Sequence, residues 1–413
     1  MEHVAGTFLK GSAKLMQQLN TSLVLEVIRE KGPISRSELA RLTELSNPAV
    51  SALLEPLLRD GVVREIGTDA STGGRPARLL AFNARAGYLV GIDVGGTTIV
   101  GAVVDLAGNI LNSMSCPSAR GEQSVNIVLD LIEELIKSAC VPQDALWGIG
   151  VGIPGVTDVD GQRVTHAPAV GWDDVHIGRI IRDRFGVPFF ADNDVNCFAR
   201  GELWRGMLKG VTNGVAIAVG TGVGVGLIID GRVYQGAHNA AGEVGYWLLG
   251  SLGPIEKPTG FGPLESIAAG PGIAGQARRD LEADAQLAPR LRDMVGGDLS
   301  KITAREVFEA ALLRDEYCEK LVEQTTAYLG ILTANIASLL DVEKVVIGGG
   351  LSRAGNQLLV PIRNIVETLC PYPPQIELST LREDAAILGA VSGVLNLRET
   401  SINFLRVHWE DQD

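Results

Sequence analysis

The stretch Gly91-Ile92-Asp93-Val94-Gly95-Gly96-Thr97-Thr98 reads as an apolar strand running into a glycine turn, with Val100 to Val104 as the strand that leaves it. The same scheme returns between Val215 and Val233, around Gly220-Thr221-Gly222-Val223-Gly224-Val225-Gly226. A strand-turn-strand device used twice implies a duplicated α/β domain with a cleft between its halves. Glycines at such turns let backbone N–H groups approach a phosphate. Asp93, beside the first turn, is suited to hold a hydrated Mg²⁺ ion. Taken alone, each turn is equally well a glycine-rich hairpin.

A third segment favours the cleft. The strand Val187 to Ala191 ends in Asp192-Asn193-Asp194-Val195-Asn196. A carboxylate and two amides at the end of a buried strand suit the chelation of sugar hydroxyls. Asp194 is further placed to accept the proton of a hydroxyl that attacks a γ-phosphate. A role in capping the helix that carries Ala199 to Leu203 is compatible with this.

Upstream, Val24, Val27 and Ile28 mark a helix from Ser22 to the Gly32-Pro33 breaker. Ser35 before Arg36-Ser37-Glu38 has the form of a capping box for a short second helix with Leu39, Ala40 and Leu42 inward. After Glu44-Leu45-Ser46, a third helix is expected with Asn47 as cap and Pro48 in its first position. Its inner stripe is Val50, Leu53, Leu54, Leu57 and Leu58. Ser46, Asn47, Ala49 and Ser51 are left on the outer face, small polar groups that permit close approach to base edges in a major groove. Val62 to Ile66 and Ala77 to Phe82 read as two wing strands, and between them Thr72-Gly73-Gly74-Arg75-Pro76 can place one guanidinium in a minor groove. The combination points to a winged helix-turn-helix, although three helices and a hairpin also serve as protein-interaction modules. Pro56, deep in the third helix, should kink it beyond the base-reading end.

The 413-residue chain is 46% hydrophobic and 21% charged, ample for two or three packed domains. Residues 1–86 carry eleven Lys/Arg against nine Asp/Glu, a net +2 that leaves −15 on the rest of a chain whose total is −13. The acidic bulk repels nucleic acid, so DNA contact is expected from the N-terminal segment alone. Glycines interrupt the apolar run Val211 to Ile229, and no stretch has the length and purity of a membrane span. No apolar signal segment opens the sequence, so a cytoplasmic location is expected. Cys116, Cys140, Cys197, Cys318 and Cys370 are dispersed, which implies reduced thiols rather than a disulfide framework or thiolate metal site.

The segments Gly91 to Thr98, Gly150 to Gly155, Asp192 to Glu202, Val219 to Gly226, Ala241 to Gly245 and Val346 to Gly350 resemble the ROK family of repressors, open reading frames and kinases. The helix-turn-helix with its Gly-Gly-Arg-Pro wing resembles that family's regulator branch, such as the xylose and N-acetylglucosamine repressors. The resemblance implies an α/β architecture in which a winged helix-turn-helix, residues 1–86, precedes a duplicated actin-like ATPase fold, residues 87–413. One lobe would comprise approximately 87–200 plus the C-terminal helix, the other 201–382. It further implies a sugar effector contacted by Asn193, Asp194, Glu243, Tyr246 and Glu265, with Asp194 as catalytic base only if the chain is a kinase. Asp93, Gly95, Gly96, Thr97, Thr221, Gly222, Gly348, Gly349 and Gly350 match the nucleotide-binding positions. Homodimers or homotetramers on a palindromic double-stranded operator are implied as well.

Departures from the family pattern redirect the reading. The family's zinc site uses a histidine and a CxCGxxGC cluster, whereas Gly253 to Pro263 holds no cysteine and the histidine position is Tyr246, so structural zinc is expected to be absent. Ala169 stands near the place of a sugar-contacting asparagine, and Thr98 stands where the kinases commonly carry lysine. These features favour a sugar-responsive transcriptional regulator, with repression the expected sign. The alternative is an ATP-dependent sugar kinase with an appended DNA-binding domain, supported by the survival of Asp93, Gly95, Gly96, Thr97 and Asp194. No cofactor is required on the first reading, and Mg-ATP stays open on the second. A partner-binding protein indifferent to sugar has only the altered pocket in its favour.

Overall fold

The computed structural model describes residues 2–68, 78–248 and 262–399. The chain opens with α1 (Glu2–Lys31), which begins well before Ser22 and runs through Gly6 and Gly11. Val24, Leu25 and Ile28 turn inward and pack with Leu39 and Ala40 of α2 (Arg36–Thr43) and with Val50, Leu53, Leu54 and Leu57 of α3 (Asn47–Arg59). Leu58, expected on the same inner stripe, is only partly buried.

Two caps differ from expectation. Ser35 accepts a hydrogen bond from Glu38 N at 3.2 Å, but the Glu38 carboxylate is drawn away by Arg41, so only half of the capping box forms. Ser46, not Asn47, caps α3, accepting from Ala49 N at 3.3 Å. The shift puts Pro48 in the second helical position, where its missing N–H is equally harmless. Pro56 lies inside α3, which still runs to Arg59. Ala52, whose carbonyl would have bonded the missing hydrogen, is exposed, so water can replace the donor.

The two-residue strand β1 (Ile34–Ser35) pairs with β3 (Arg78–Phe82), which pairs in turn with β2 (Val63–Thr68). The antiparallel β2–β3 pair is the wing. Its Glu65 accepts from both Arg36 and Arg78. The loop Thr72–Pro76, with Arg75, lies outside the described residues.

The duplication read from the glycine turns is present as two five-stranded sheets of the same plan. In the first, the antiparallel strands β4 (Tyr88–Val94), β5 (Thr98–Asp105) and β6 (Ile110–Pro117) are joined by β7 (Leu146–Ile153), parallel to β4. The helix α4 (Glu122–Ser138) covers one face of this sheet. A small three-stranded sheet, β8 (Val156–Thr157), β9 (Val164–Ala167) and β10 (Trp172–Val175), and then α5 (Ile177–Phe185) lead to β11 (Phe189–Asn193), parallel to β7. The helix α6 (Asp194–Arg205) passes to the second half.

There β12 (Gly214–Val219), β13 (Val223–Ile229) and β14 (Arg232–Tyr234) repeat the antiparallel trio. The helices α7 (Glu265–Ala268), α8 (Gly270–Ala283), α9 (Pro289–Met294), α10 (Ala304–Leu312) and α11 (Glu316–Leu340) follow. Then come β15 (Lys344–Gly348), α12 (Asn356–Leu369), β16 (Gln375–Leu378) and α13 (Asp384–Glu399), and the strand order is β14-β13-β12-β15-β16. Each parallel strand follows a crossover, as parallel pairing requires.

The helix α6 lies mainly against the second sheet, with further contacts to β7 and β11, and α13 lies against the first. They cross where their backbones touch: a side chain at Gly201 would run into the Ala385 carbonyl, and one at Gly389 into the Cys197 carbonyl. A lobe boundary drawn at 200/201 therefore falls inside α6. No helix among the described residues is long and apolar enough to cross a membrane.

Candidate functional site

The two halves place their glycine turns at corresponding strand ends. Between β4 and β5, Gly95 N donates to Thr98 O at 3.0 Å, leaving Gly96 and Thr97 exposed at the tip. A Cβ on Gly95 would sit 2.7 Å from the Thr98 carbonyl oxygen, so glycine is sterically required. Between β12 and β13, Gly220 N donates to Gly222 O at 3.0 Å and Thr221 is exposed. After β15, Gly349 adopts φ 80°, and Gly350 N lies 3.8 Å from where a Cβ on Gly220 would be. Gly348 behaves differently: it is buried, and a side chain there would strike the Phe198 ring of α6. Of the glycines matched to nucleotide binding, Gly348 thus serves helix-sheet packing, while Gly349 and Gly350 form the open lip.

Asp93 is the last residue but one of β4 and Asp194 begins α6, and both lie against Gly152 of β7. A Cβ on Gly152 would be 3.5 Å from an Asp93 carboxylate oxygen and 3.5 Å from the Asp194 Cα. Both carboxyls are hemmed in by protein, with a partial opening to the cleft. Burial pushes Asp93 up to about 6. Burial, with the neighbouring Asp93 and Glu243 carboxylates, pushes Asp194 up to about 8 despite the opposing hydrogen bond from Val195 N. At neutral pH Asp194 is therefore largely protonated until a ligand or cation changes its surroundings.

Glu243 is raised by partial desolvation and then by Glu265. The Tyr246 phenol is raised by desolvation and then by the same two glutamates. Asp93, Asp194, Glu243, Glu265 and Tyr246, drawn from both halves of the domain, are in this way close enough to bias one another's charge. Their hydrogen-bonding freedom differs. Glu265 Oε1 accepts from Val223 N at 3.1 Å and its Oε2 from Gly262 N at 2.9 Å, so Glu265 braces the second glycine turn. Asn193 caps α6, accepting from Val195 N at 2.8 Å and Asn196 N at 3.3 Å, and donates to Gly155 O at 3.1 Å. The cap of α6 is thus Asn193 rather than Asp194. Among the described residues, the Asp93 and Glu243 carboxylates and the Tyr246 hydroxyl have no hydrogen-bond partner, and Glu243 and Tyr246 are the exposed ones.

Asp192 does not serve the cleft. It is fully buried and accepts from Arg200 at 3.0 Å, Asn196 at 3.0 Å and Gln235 at 2.9 Å. Its capacity is consumed inside the protein, and what it joins is β11 and α6 to the segment after β14.

Sequence reading passed over a further cross-cleft contact. Asn239 is 5% exposed, and its Nδ2 donates to Asp158 O at 2.7 Å, 81 residues away and on the other side of the cleft. Its only local signal is an asparagine at a left-handed position, φ 53°.

Ser46, Asn47 and Ser51 are exposed at the start of α3, with Ala49 half-buried beside them. No group of three or more His, Cys, Asp or Glu among the described residues is arranged to hold a metal ion. The segment 249–261, which includes most of the cysteine-free stretch Gly253 to Pro263, lies outside them.

Comparison with known proteins agrees with this architecture. A winged helix-turn-helix DNA-binding model matches residues 20–64. A putative xylose repressor of Caldicellulosiruptor sp. (strain Rt8B.4) is 31% identical over 94% of this chain and 98% of its own length. A glucokinase of Halalkalibacterium halodurans is 33% identical over 73% of this chain and 93% of its own. The crystal structure of a ROK family transcriptional regulator, a homologue of the E. coli Mlc protein, superimposes with a TM-score of 0.81 at 24% identity, covering 94% of this chain and 98% of that one. With the ROK family model matching residues 89–396 as well, the chain belongs to the ROK family.

Proposed function

We propose that the protein is a sugar-responsive DNA-binding regulator, a repressor of carbohydrate genes, working in the cytoplasm. The observation that carries this reading is the joining of two modules in one packed unit. A helix with Ser46, Asn47, Ala49 and Ser51 at its exposed N-terminal end is built directly onto a domain whose cleft gathers Asp194, Glu243, Glu265 and Tyr246. A putative xylose repressor aligned along nearly the whole chain supports it.

The reader helix presents small polar groups to base edges, and Arg75 on the wing supplies a charge for the minor groove. Two half-sites call for two copies of the module. Met16, Leu19 and Leu23, spaced three and four apart on α1 and all exposed, support pairing with a second copy into a homodimer or homotetramer on a palindromic operator.

In the cleft, Glu243 and Tyr246 would take sugar hydroxyls, and Asp194 would donate or accept according to its protonation. Asn193 and Glu265 would hold the frame around them. The glycine turns at Gly95, Gly96, Thr97, Thr221, Gly222, Gly349 and Gly350 fit a phosphate chain, and Asp93 fits the hydrated Mg²⁺ that would accompany ATP. When bound, that nucleotide would supply a transferable phosphoryl group. A sugar kinase that also binds DNA is the second reading, favoured by the survival of Asp194 beside these turns and by the glucokinase relative.

Gel-shift titration on the DNA upstream of the protein's own gene, with D-xylose, D-glucose, N-acetyl-D-glucosamine and their phosphates, tests the proposal. The expected result is retarded DNA whose affinity changes at least fivefold with one of these sugars. Absence of any DNA binding would overturn it.

A further inference from the structure

A regulator of the kind proposed above needs a physical route from cleft to reader helix, and the structure places one route in α6. The helix begins at the sugar end with Asn193 as cap and Asp194 as its first residue. Twelve residues long, about 18 Å along its axis, it ends at Trp204 and Arg205. Its middle, Cys197 to Gly201, is the part in backbone contact with α13 at Ala385 and Gly389. Because α6 packs mainly on the second sheet and α13 on the first, a rotation of the lobes that carries α6 with its own sheet would turn it about this crossing. A lever pivoted at Cys197–Gly201 has its input arm in the cleft and its output arm at Trp204.

The output arm touches a stiff turn. Asp105 is 3% exposed, and its carboxylate accepts from Ala107 N, Asn109 N and Asn109 Nδ2, each at 2.9 Å. This fixes the loop between β5 and β6. A Cβ on Gly108 would lie 3.0 Å from the Trp204 ring and 3.1 Å from the Arg205 guanidinium, so the end of α6 rests on the tip of that turn.

The other side of the same turn is held by the DNA-binding module. Arg29 of α1 donates to Leu106 O at 2.7 Å while its guanidinium lies 4.9 Å from the centre of the Phe82 ring. Leu106 N donates to Ala84 O at 3.0 Å, just past the wing. Phe82, Ala86 and Trp147 pack both against the core of the winged module and against the cluster that contains Leu106 and Trp204. A bare linker would let the module swing freely, whereas here α1 and the wing base are clamped to one loop.

We infer that Arg29 and Trp204, meeting across the Asp105–Asn109 turn, are the positioning residues that carry the state of the cleft to the DNA-binding module. The inference rests on the regulatory reading. It requires the turn to be a shared element whose position both partners bias, since spatial adjacency alone does not make a coupling path. Neither residue touches the cleft or the exposed end of α3, so their loss should separate the two activities rather than abolish either.

Operator binding is measured with and without D-xylose, D-glucose and N-acetyl-D-glucosamine for wild type, Arg29→Ala, Arg29→Lys and Trp204→Ala. Each variant should keep operator affinity without sugar and sugar affinity without DNA within about twofold of wild type. The fold-change in DNA affinity on adding sugar, of order 5 to 150 for typical couplings, should fall to less than a third of the wild-type value. Arg29→Lys, which keeps charge but loses the planar fork, should behave like Arg29→Ala. Variants that respond as wild type does would overturn the inference while leaving the regulatory reading intact. A wild type whose DNA affinity ignores all three sugars counts against that reading instead. The coupling is then decided by urea unfolding of the Arg29→Ala, Trp204→Ala and double variants: non-additive losses support it, and strict additivity overturns it.

Discussion

Asn239 reaches across the cleft to Asp158, its side-chain amide donating to the Asp158 carbonyl at 2.7 Å from a position only 5% exposed. With Gln235 bonded to Asp192 at 2.9 Å, it ties the segment after β14 to the opposite lobe. Asn239→Asp keeps a side chain that tolerates the left-handed backbone but removes the donor. The expected loss is about 1 to 3 kcal/mol of stability, because a part-buried carbonyl is left facing a carboxylate, and sugar affinity should weaken several-fold as the closed cleft becomes less populated. Urea denaturation and calorimetric titration with D-xylose or D-glucose measure both. Wild-type values for each would mean that the contact does not hold the lobes.

How far the sequence carried depends on the range of the interactions. The glycine turns at Gly95 and Gly220 and the stripe Val50, Leu53, Leu54 and Leu57 are local patterns, and they led to the duplicated sheets and to the packed face of α3. That Asp192 is spent inside the protein is not legible in the sequence, because nothing beside it shows that Arg200 and Gln235 consume its oxygens. Glu38 has the spacing of a capping box, but Arg41, one helical turn on, competes for its carboxylate and wins with two charge-assisted hydrogen bonds. Asn239 and Arg29 act on partners 81 and 77 residues away, a separation to which periodicity is blind.

Raised carboxyl pKa values make a stability prediction of definite sign. Asp194, ordinarily 3.8, stands at about 8 in the fold and Asp93 at about 6. Each holds its proton in the native state at pH values where the unfolded chain has lost it. Their contribution to stability therefore falls as pH rises from about 4, through about 6 for Asp93 and about 8 for Asp194. Asp194→Asn, which cannot ionise, should melt higher than wild type at pH 8 and show a shallower decline between pH 5 and 8. Parallel melting curves for the two proteins across that range would remove Asp194 as a buried, proton-holding group.

Zinc is expected to be dispensable, since the stretch Gly253 to Pro263 contains no cysteine and the histidine position is Tyr246. Elemental analysis of protein purified without chelator should find far less than one zinc per chain, and EDTA should leave the melting temperature unchanged. Stoichiometric zinc, or a drop of several degrees on chelation, would contradict the expectation, because structural zinc contributes directly to folding free energy.

The wing makes a separate prediction for DNA. Arg75→Ala removes one guanidinium, so operator affinity should fall and the slope of log affinity against log salt should become shallower by about one unit, as expected for one fewer displaced counterion. Isotherms recorded between 50 and 200 mM salt, roughly the range over which such slopes are resolved, decide this. Superimposable slopes for variant and wild type would place Arg75 outside the interface.

Asp194 also separates the two readings of the cleft. Binding a sugar hydroxyl requires only a hydrogen-bonding group, whereas phosphoryl transfer requires a base near the operating pH. A carboxyl pushed up to about 8 is well matched to that second role once its neighbours are offset by cation and substrate. Asp194→Asn keeps the shape and one acceptor while abolishing basicity. If regulation is the working function, the variant should bind operator like wild type and lose part of its sugar response, and wild type itself should show little ATP-dependent turnover with D-xylose, D-glucose or N-acetyl-D-glucosamine. If the chain is a kinase, wild type should turn over at about 1 to 100 per second with Mg-ATP and one of these sugars, and the variant should fall by roughly 100-fold or more. Fast turnover lost on this substitution, together with operator affinity that no sugar alters, would overturn the regulatory assignment and make the cleft an active site.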